Sequence, residues 1–240
     1  YVVKTYATGT LQWTRVIGGS NSDEFHGMSK TNDGGYIITG QTSTNSFGSS
    51  DIWLVKLNSA GDTLWTKQYG KPTEDAGNSV IQTADGGYMI AGDIHVNPAS
   101  GNHNSCLVKT DSNGNLQWAK TYGSNPGTEI AWDVRQTSNG NYIFSGSTAF
   151  YGNGGGGDIL TMKTDNAGNI KWAKAYGGTS FDDFWYSEKT FDEGNIMLGL
   201  TYEGGQNILV IRADSVGNSF CNTTNVIPDI NTPVRQMRSG

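Results

Sequence analysis

Cysteine, charge and long apolar runs are all scarce in this chain of 240 residues. Two cysteines are too few for a disulfide framework. We expect Cys106 and Cys221 to be separate thiols, one of them a buried small hydrophobe, unless Cys221 pairs with a residue beyond this segment. No apolar run approaches the roughly 20 residues that span a bilayer. The sequence therefore predicts no membrane span.

Only 16% of the residues are charged, and the formal net charge is −6. An acidic surface lacks the positive field that binding to phosphate backbones requires, so we expect no nucleic-acid partner. What the chain has in quantity is glycine, with 34 residues. Frequent glycine favours short strands joined by turns over long helices.

Tryptophan marks an internal repeat of about 53 residues. Trp13, Trp65, Trp118 and Trp172 follow one another at intervals of 52, 53 and 54 residues, and Cys221 continues the register after a further 49. The surrounding string recurs, as in DTLWTKQYG and NLQWAKTYG. A second string recurs at its own offset, and its four copies are Asp33–Tyr36, Asp85–Tyr88, Asn139–Tyr142 and Glu193–Ile196. Aligned strings at one period indicate a repeat architecture.

Each repeat resolves into four short strands. In the second copy these are predicted over residues 79–83, 88–92, 106–110 and 116–122, with an Asp-Gly-Gly turn between the first two. No segment between them is long enough for a helix. Four-stranded antiparallel units repeated around an axis predict an all-β fold, a β-propeller with four full repeats and an N-terminal half-repeat. We expect each tryptophan to pack against the neighbouring blade.

The predicted propeller covers residues 1–222, and residues 223–240 are predicted to be a linker or C-terminal extension. Two N-terminal strands are left over, so either they close a five-bladed ring or the chain is a piece of a larger propeller, which we favour. The predicted boundaries are residues 1–17 for the half-repeat and about 27–69, 78–122, 131–176 and 185–222 for the four-strand sets.

Long, divergent loops are predicted on one face of the disc, whereas the other face carries near-identical turns. The loops span residues 42–50, 94–104, 149–157 and 202–206. Variable loops on a rigid scaffold commonly carry function. Aromatic residues near this face could stack on sugar rings, although ordinary loop packing is the favoured interpretation. The candidates are Phe47, Phe150, Tyr151, Trp185 and Tyr202.

One acidic residue recurs before the first strand of every repeat. Its carboxylate could fix the loop by accepting backbone N–H groups, which we favour, or four such groups could ring the axis as a cation site for calcium. The four residues are Asp23, Asp75, Glu129 and Asp182. His95 and His103 share a loop with Asp93, and exposed loop histidines are favoured there over a metal site. No set of nucleophile, base and orienting group is recognisable, so we expect no enzyme activity and no cofactor other than calcium.

Residues 110–118 contain Gly114, then three residues, then Trp118. This string is similar to the tryptophan-docking motif of quinoprotein alcohol dehydrogenase-like propellers. The fuller unit, with LVKxDxxGxxxW, YGG and QTxDGGYxxxG, resembles repeats of secreted β-propeller proteins of Bacteroidetes-type bacteria. Many of those carry a C-terminal type IX sorting domain, which is not visible here. The resemblance covers residues 1–221 and is specific for fold rather than function.

The resemblance implies a secreted or cell-surface location. Together with the missing catalytic set, it predicts a non-catalytic binding or scaffold module within a larger exported protein. Its expected partner is a protein or a glycan at the cell surface, and the secretion machinery as well if a sorting domain follows. One alternative is a lectin-like propeller with a shallow sugar site per blade. A second, which rests on the tryptophan motif alone, is a quinone-dependent dehydrogenase.

Overall fold

The computed structural model describes residues 1–97, 101–124, 126–152, 154, 156–219, 223–225, 228–231 and 235–239. Within these ranges the chain forms twenty strands and no helix. It follows that no described segment is a helix of the length and hydrophobicity needed to cross a bilayer. The predicted all-β class is confirmed.

The strands follow the predicted repeat. The half-repeat is a hairpin of β1 (Val2–Thr5) and β2 (Leu11–Arg15). Repeat 1 has four strands, β3 (Asp23–Lys30), β4 (Tyr36–Thr42), β5 (Asp51–Leu57) and β6 (Thr63–Gly70). Repeat 2 has β7 (Asp75–Gln82), β8 (Tyr88–Asn97), β9 (Asn102–Thr110) and β10 (Leu116–Gly123).

Repeat 3 has β11 (Glu129–Gln136), β12 (Tyr142–Thr148), β13 (Asp158–Thr164) and β14 (Ile170–Tyr176). Repeat 4 contributes β15 (Asp182–Lys189), β16 (Asn195–Thr201) and β17 (Asn207–Ala213). Within each repeat the strands pair antiparallel with their neighbours in chain order. The tandem arrangement of antiparallel sheets is therefore confirmed.

Three short strands lie in the segment that we predicted as a linker or extension. They are β18 (Thr223–Asn225), β19 (Asp229–Asn231) and β20 (Arg235–Ser239). Each pairs with the outer edge of a fourth strand, β18 with β14, β19 with β10 and β20 with β6. A fourth strand has one edge open to such pairing, so an added segment extends the sheet.

The turn between the first two strands needs a residue with positive φ. Gly34, Gly86 and Gly140 occupy that position in repeats 1 to 3, but in repeat 4 it is Glu193, with a φ of 62°. Thr190 N–H donates to the carbonyl of Gly194, and Thr31 N–H likewise to that of Gly35. The predicted alignment of Glu193–Ile196 with Asp33–Tyr36 is therefore wrong by one residue, because Gly194 is equivalent to Gly35 and not to Gly34.

Every fourth-strand tryptophan contacts the next repeat. A Cβ added to the glycine of that repeat's third-to-fourth-strand turn would lie 2.8–3.0 Å from ring carbons of the tryptophan. The pairs are Trp13 with Gly61, Trp65 with Gly114, Trp118 with Gly168 and Trp172 with Gly217. The predicted packing role is confirmed, and glycine is required there because both the φ and the ring exclude a side chain.

Hydrophobic clusters fill the spaces between successive sheets. Ile52 and Leu54 of repeat 1 pack with Val80 and Ile90 of repeat 2, and all four are at most 2% exposed. Corresponding clusters lie between repeats 2 and 3 and between repeats 3 and 4. Cys106 is a fully buried free thiol, as predicted, whereas Cys221 lies outside the described residues. Each sheet is thus covered by its neighbour in sequence.

Candidate functional site

The first strand of each repeat contains a β-bulge at an equivalent position. In repeat 1, Phe25 pairs with Gly40 and Gly27 pairs with Thr39, so His26 is an extra residue. The extra residues are His26, Asn78, Trp132 and Trp185. A bulge bends its strand and redirects a side chain, and bulges are common beside functional sites.

The second-strand glycine opposite each bulge makes room for it. A Cβ on Gly92 would overlap the Ala76 carbonyl oxygen. The same holds for Gly146 against the carbonyl of Ile130. The sequence therefore has a glycine within each second strand because the bulged first strand approaches too closely for any side chain.

The four bulge residues line one cavity of about 570 Å³, which we call the first-strand cavity. Its other walls come from Ser147, Asp183 and Phe184. An adjoining cavity of about 430 Å³ is also lined by the first strands of all four repeats, including His26, Asn78, Trp132 and Tyr186. The first strands thus converge on one region of the molecule.

Two tryptophans present their rings to this cavity. Trp132 is 42% and Trp185 is 58% exposed. The indole N–H of Trp132 donates to Ser147 Oγ at 3.2 Å, and that of Trp185 to Asp183 Oδ2 at 3.4 Å. Because each indole N–H has an internal acceptor, what remains for a ligand is the apolar ring surface.

A chain of polar contacts runs from the cavity into repeat 2. His26 Nδ1 lies 3.0 Å from Asn78 Oδ1, and Asn78 Nδ2 donates to Asp93 Oδ1 at 3.1 Å. Asp93 Oδ2 lies 2.7 Å from His103 Nδ1, and this contact raises the pKa of His103. The buried Asn78 and Asp93 are thus fully engaged, which fixes the side chain of Asn78 at the cavity wall.

A second network joins the first strands of repeats 2, 3 and 4. Buried Asp133 accepts hydrogen bonds from Ser79 Oγ at 3.2 Å, from Ser187 Oγ at 2.8 Å and from Arg135 Nη1 at 2.7 Å. Burial raises the pKa of the Asp133 carboxyl, and the Arg135 guanidinium opposes that rise. Arg135 also donates to the Tyr186 hydroxyl at 3.2 Å. The buried Asp133 carboxylate is thus neutralised by Arg135, and together they stabilise the packing of the first strands against one another.

The recurring acidic residues begin the first strands instead of lying in the preceding loops. Each accepts the backbone N–H of a residue four or five positions earlier, as Lys71 N–H donates to Asp75 Oδ2 at 2.5 Å. The others follow the same pattern, with Gly19 to Asp23 at 2.6 Å, Ser124 to Glu129 at 3.0 Å and Gly178 to Asp182 at 2.7 Å. These contacts match the loop-fixing interpretation. Within the described ranges no three His, Cys, Asp or Glu side chains are grouped as metal ligands.

A carboxylate pair lies at the junction of repeats 1 and 2. A Cβ on Gly70 would contact Asp51 Oδ1 and would lie 2.8 Å from Asp75 Oδ2, and both aspartates are fully buried. Burial raises the pKa of Asp51 to about 6 and that of Asp75 to about 7. At the next junction, Asn104 and Glu129 flank Gly123 in the same way.

Three of the predicted loop aromatics, Phe150, Tyr151 and Tyr202, make ring contacts. Phe150 packs edge-on against Tyr151 with ring centres 5.2 Å apart, and Tyr202 packs against Phe181 at 5.8 Å. Phe47 is 53% exposed on a different loop. Trp185, which we assigned to the loop face, belongs to strand β15 and lines the first-strand cavity, because the bulge redirects it.

The histidine pair also lies on strands. β8 and β9 extend into the predicted loop over residues 94–104, and His95 pairs with His103 across them, with the rings stacked 4.5 Å apart. Asp93 is the hydrogen-bonding partner of His103. The prediction of exposed loop histidines is wrong, because the alternation of residues 93–97 continues the hairpin.

Comparison of the sequence with protein-family models gave no match, and a search of the curated proteins gave none either. The first-strand cavity is therefore interpreted from its own geometry.

Proposed function

We propose that the chain is a β-propeller that acts as a non-catalytic binding module, with its ligand site in the first-strand cavity. The observation that carries the proposal is the convergence of His26, Asn78, Trp132 and Trp185 on one cavity from four successive repeats. The repeated sheets provide a rigid frame, whereas these positions vary, as expected of a binding site on a scaffold.

The first-strand cavity suits a carbohydrate ligand better than the loop face does. Two exposed indole rings supply apolar surface for sugar rings, while Asp183 and His26 supply polar groups for hydroxyls. This differs from one shallow site per blade, because residues from four repeats contribute to a single site. A secreted or cell-surface location remains our proposal and rests on the resemblance of the repeats.

The dehydrogenase alternative gains no support. The tryptophans that suggested it are packed against turn glycines of the next repeat, so that packing alone explains their recurrence. The polar groups of the cavity are joined in pairs, and a nucleophile with an adjacent free base is not evident among the described residues.

A glycan array followed by titration of the best binder tests the proposal. We expect loss of binding in W132A and W185A, with retention in the matched loop variants F47A and F150A, whose side chains are 53% and 54% exposed. Tryptophan fluorescence should change on binding in the native protein. Absence of any glycan binding at millimolar concentration, or loss of binding only in the loop variants, would refute the carbohydrate assignment.

A further inference from the structure

The face of repeat 4 that points away from repeat 3 is apolar and exposed. It carries Ile196 and Leu198 on β16, each 39% exposed, and Ile208 and Val210 on β17, which are 74% and 55% exposed. We call these four residues the open face. Single exposed apolar residues are ordinary, but a contiguous group on one sheet indicates an interaction surface.

The equivalent positions in the other repeats are buried by the following repeat. In repeat 1 they are Ile37, Thr39, Ile52 and Leu54, all fully buried. Three of them pack with Val80 on the first strand and Ile90 on the second strand of repeat 2. The internal interfaces therefore indicate what fits the open face, namely the first and second strands of one more repeat.

The half-repeat lacks those two strands. In repeats 1 to 3 the third strand pairs with a second strand on one side and a fourth strand on the other. In the described part of the chain β1, which is a third strand by sequence, pairs with β2 alone. Its other edge can accept a second strand by β-augmentation.

Two further side chains are exposed where a hairpin would cover them. Val3 is 48% exposed, whereas Val108 at the equivalent place in repeat 2 is fully buried. Met28 on β3 is 55% exposed, whereas its equivalents Val80 and Val134 are at most 2% exposed. Met28 and Val3 share one cavity, and Met28 shares the adjoining cavity with Tyr186 of repeat 4. Val3 and Met28 thus border one region, and repeat 4 approaches it through Tyr186.

We propose that this region is a docking site for a β-hairpin with the first- and second-strand pattern of this repeat. The hairpin would pair with β1, cover the open face and bury Met28, so that β1, β2 and the hairpin form a fifth four-stranded sheet. The inference rests on the propeller arrangement of the proposed function but not on its ligand.

The test uses a fluorescein-labelled peptide with the sequence of residues 75–94, which holds both strands and the Asp-Gly-Gly turn, added to the full chain. We expect saturable binding at one peptide per chain by fluorescence anisotropy. Double substitution I208D/V210D should weaken it at least tenfold. The matched control V216D should bind as the native chain does, since Val216 is 55% exposed like Val210 but lies in a turn. A scrambled peptide should not bind.

A second experiment attaches the same peptide covalently to the chain, so that binding does not depend on peptide concentration. Residues 75–94 are fused through a flexible linker ahead of Tyr1, which is the chain order of a full repeat. We expect Tm to rise by about 4 °C or more, and I208D/V210D to abolish the rise. Failure of both formats overturns the proposal.

Light scattering of the native chain tests whether a second copy of the chain occupies the open face instead. A dimer that I208D/V210D dissociates would assign the open face to a second copy and overturn the hairpin proposal. Glycan binding measured on the same samples separates this result from failure of the proposed function.

Discussion

The hydroxyl of Tyr122 donates a 2.8 Å hydrogen bond to the carbonyl oxygen of Gly168, in the turn that Trp118 covers. Tyr69 makes the same contact to Gly114 at 2.6 Å, and Tyr176 to Gly217 at 2.8 Å. Each buried tyrosine thus joins its fourth strand to the next repeat. Burial raises the pKa of Tyr122, in keeping with a hydroxyl that stays protonated as a donor.

Tyr122→Phe should lower the free energy of unfolding by about 1–2 kcal/mol, because it leaves the buried Gly168 carbonyl without its donor. Urea denaturation measures the change. Tyr6→Phe serves as the control, since Tyr6 is 56% exposed, and should have little effect. Equal stability of Tyr122→Phe and the native protein would show that this contact does not stabilise the interface between repeats.

The inter-repeat packing could be predicted from sequence because the same environment recurs. Trp65, Trp118 and Trp172 pack against equivalent glycines of the following repeats. The spacing of tryptophan along the sequence therefore equals the length of the structural repeat. The turn of repeat 4 could not be aligned correctly, because glycine identity suggested Gly194 while the positive φ falls on Glu193. Sequence similarity does not report backbone angles.

The candidate site could not be found from the sequence for a related reason. Strand prediction relies on alternation, and a bulge inserts one residue that breaks it. Only the set predicted from residue 27 began after its bulge residue, His26. The sets predicted from residues 78, 131 and 185 included Asn78, Trp132 and Trp185, but the pattern marked none of them as a bulge, and Trp185 was assigned to the loop face. One signal was available, since each bulge lies opposite a second-strand glycine such as Gly92, but the glycine alone does not say which residue it accommodates.

Gly92→Ala should destabilise repeat 2 by about 2 kcal/mol or more, because the new Cβ collides with the Ala76 carbonyl and displaces the bulge. Gly86→Ala is the comparison, since a Cβ there meets open space and only the positive φ of 83° opposes it. We expect about 1 kcal/mol for that change. Thermal unfolding ranks the two, and a smaller effect for Gly92→Ala would contradict the close approach.

Because of the Asp51 and Asp75 pair, we expect the free energy of unfolding to fall as pH rises. Both folded-state pKa values are raised, to about 6 and about 7, above the ordinary value of 3.8, so the folded chain holds protons that the unfolded chain has released. The favourable contribution is complete below about pH 4 and is lost as pH rises to about 7. The charged pair therefore weakens the junction of repeats 1 and 2 at neutral pH.

Asp51→Asn should raise the free energy of unfolding at pH 8 by about 1–3 kcal/mol and leave it nearly unchanged at pH 3. Asn104 stands at the equivalent place in repeat 2, so the amide fits. Urea titrations at both pH values measure the effect. Glu74→Gln, at the exposed residue beside Asp75, should keep the native pH dependence. An Asp51→Asn protein that is less stable at pH 8 would contradict the prediction.

Lys109 holds the first turn of repeat 2 against its third strand. Its Nζ lies 2.9 Å from Asp85 Oδ2 and donates to the Thr110 carbonyl at 2.8 Å, and Lys56 makes the same contacts with Asp33 and Leu57 in repeat 1. Burial raises the pKa of Asp85, but hydrogen bonds from Thr83 and Lys109 outweigh it and bring that pKa to about 2.

Lys109→Met should therefore cost about 1 kcal/mol at pH 7, a modest value because the Asp85 side chain is 57% exposed. A depressed carboxyl pKa stabilises the fold above the unfolded value of 3.8, and that stabilisation disappears as pH falls through about 2. The difference between Lys109→Met and the native protein should accordingly shrink between pH 4 and pH 2 in urea titrations. Lys30→Met, at an exposed lysine, should change the free energy of unfolding by less than about 0.5 kcal/mol. A pH-independent difference for Lys109→Met would mean that the lysine acts through its buried stem and not through Asp85.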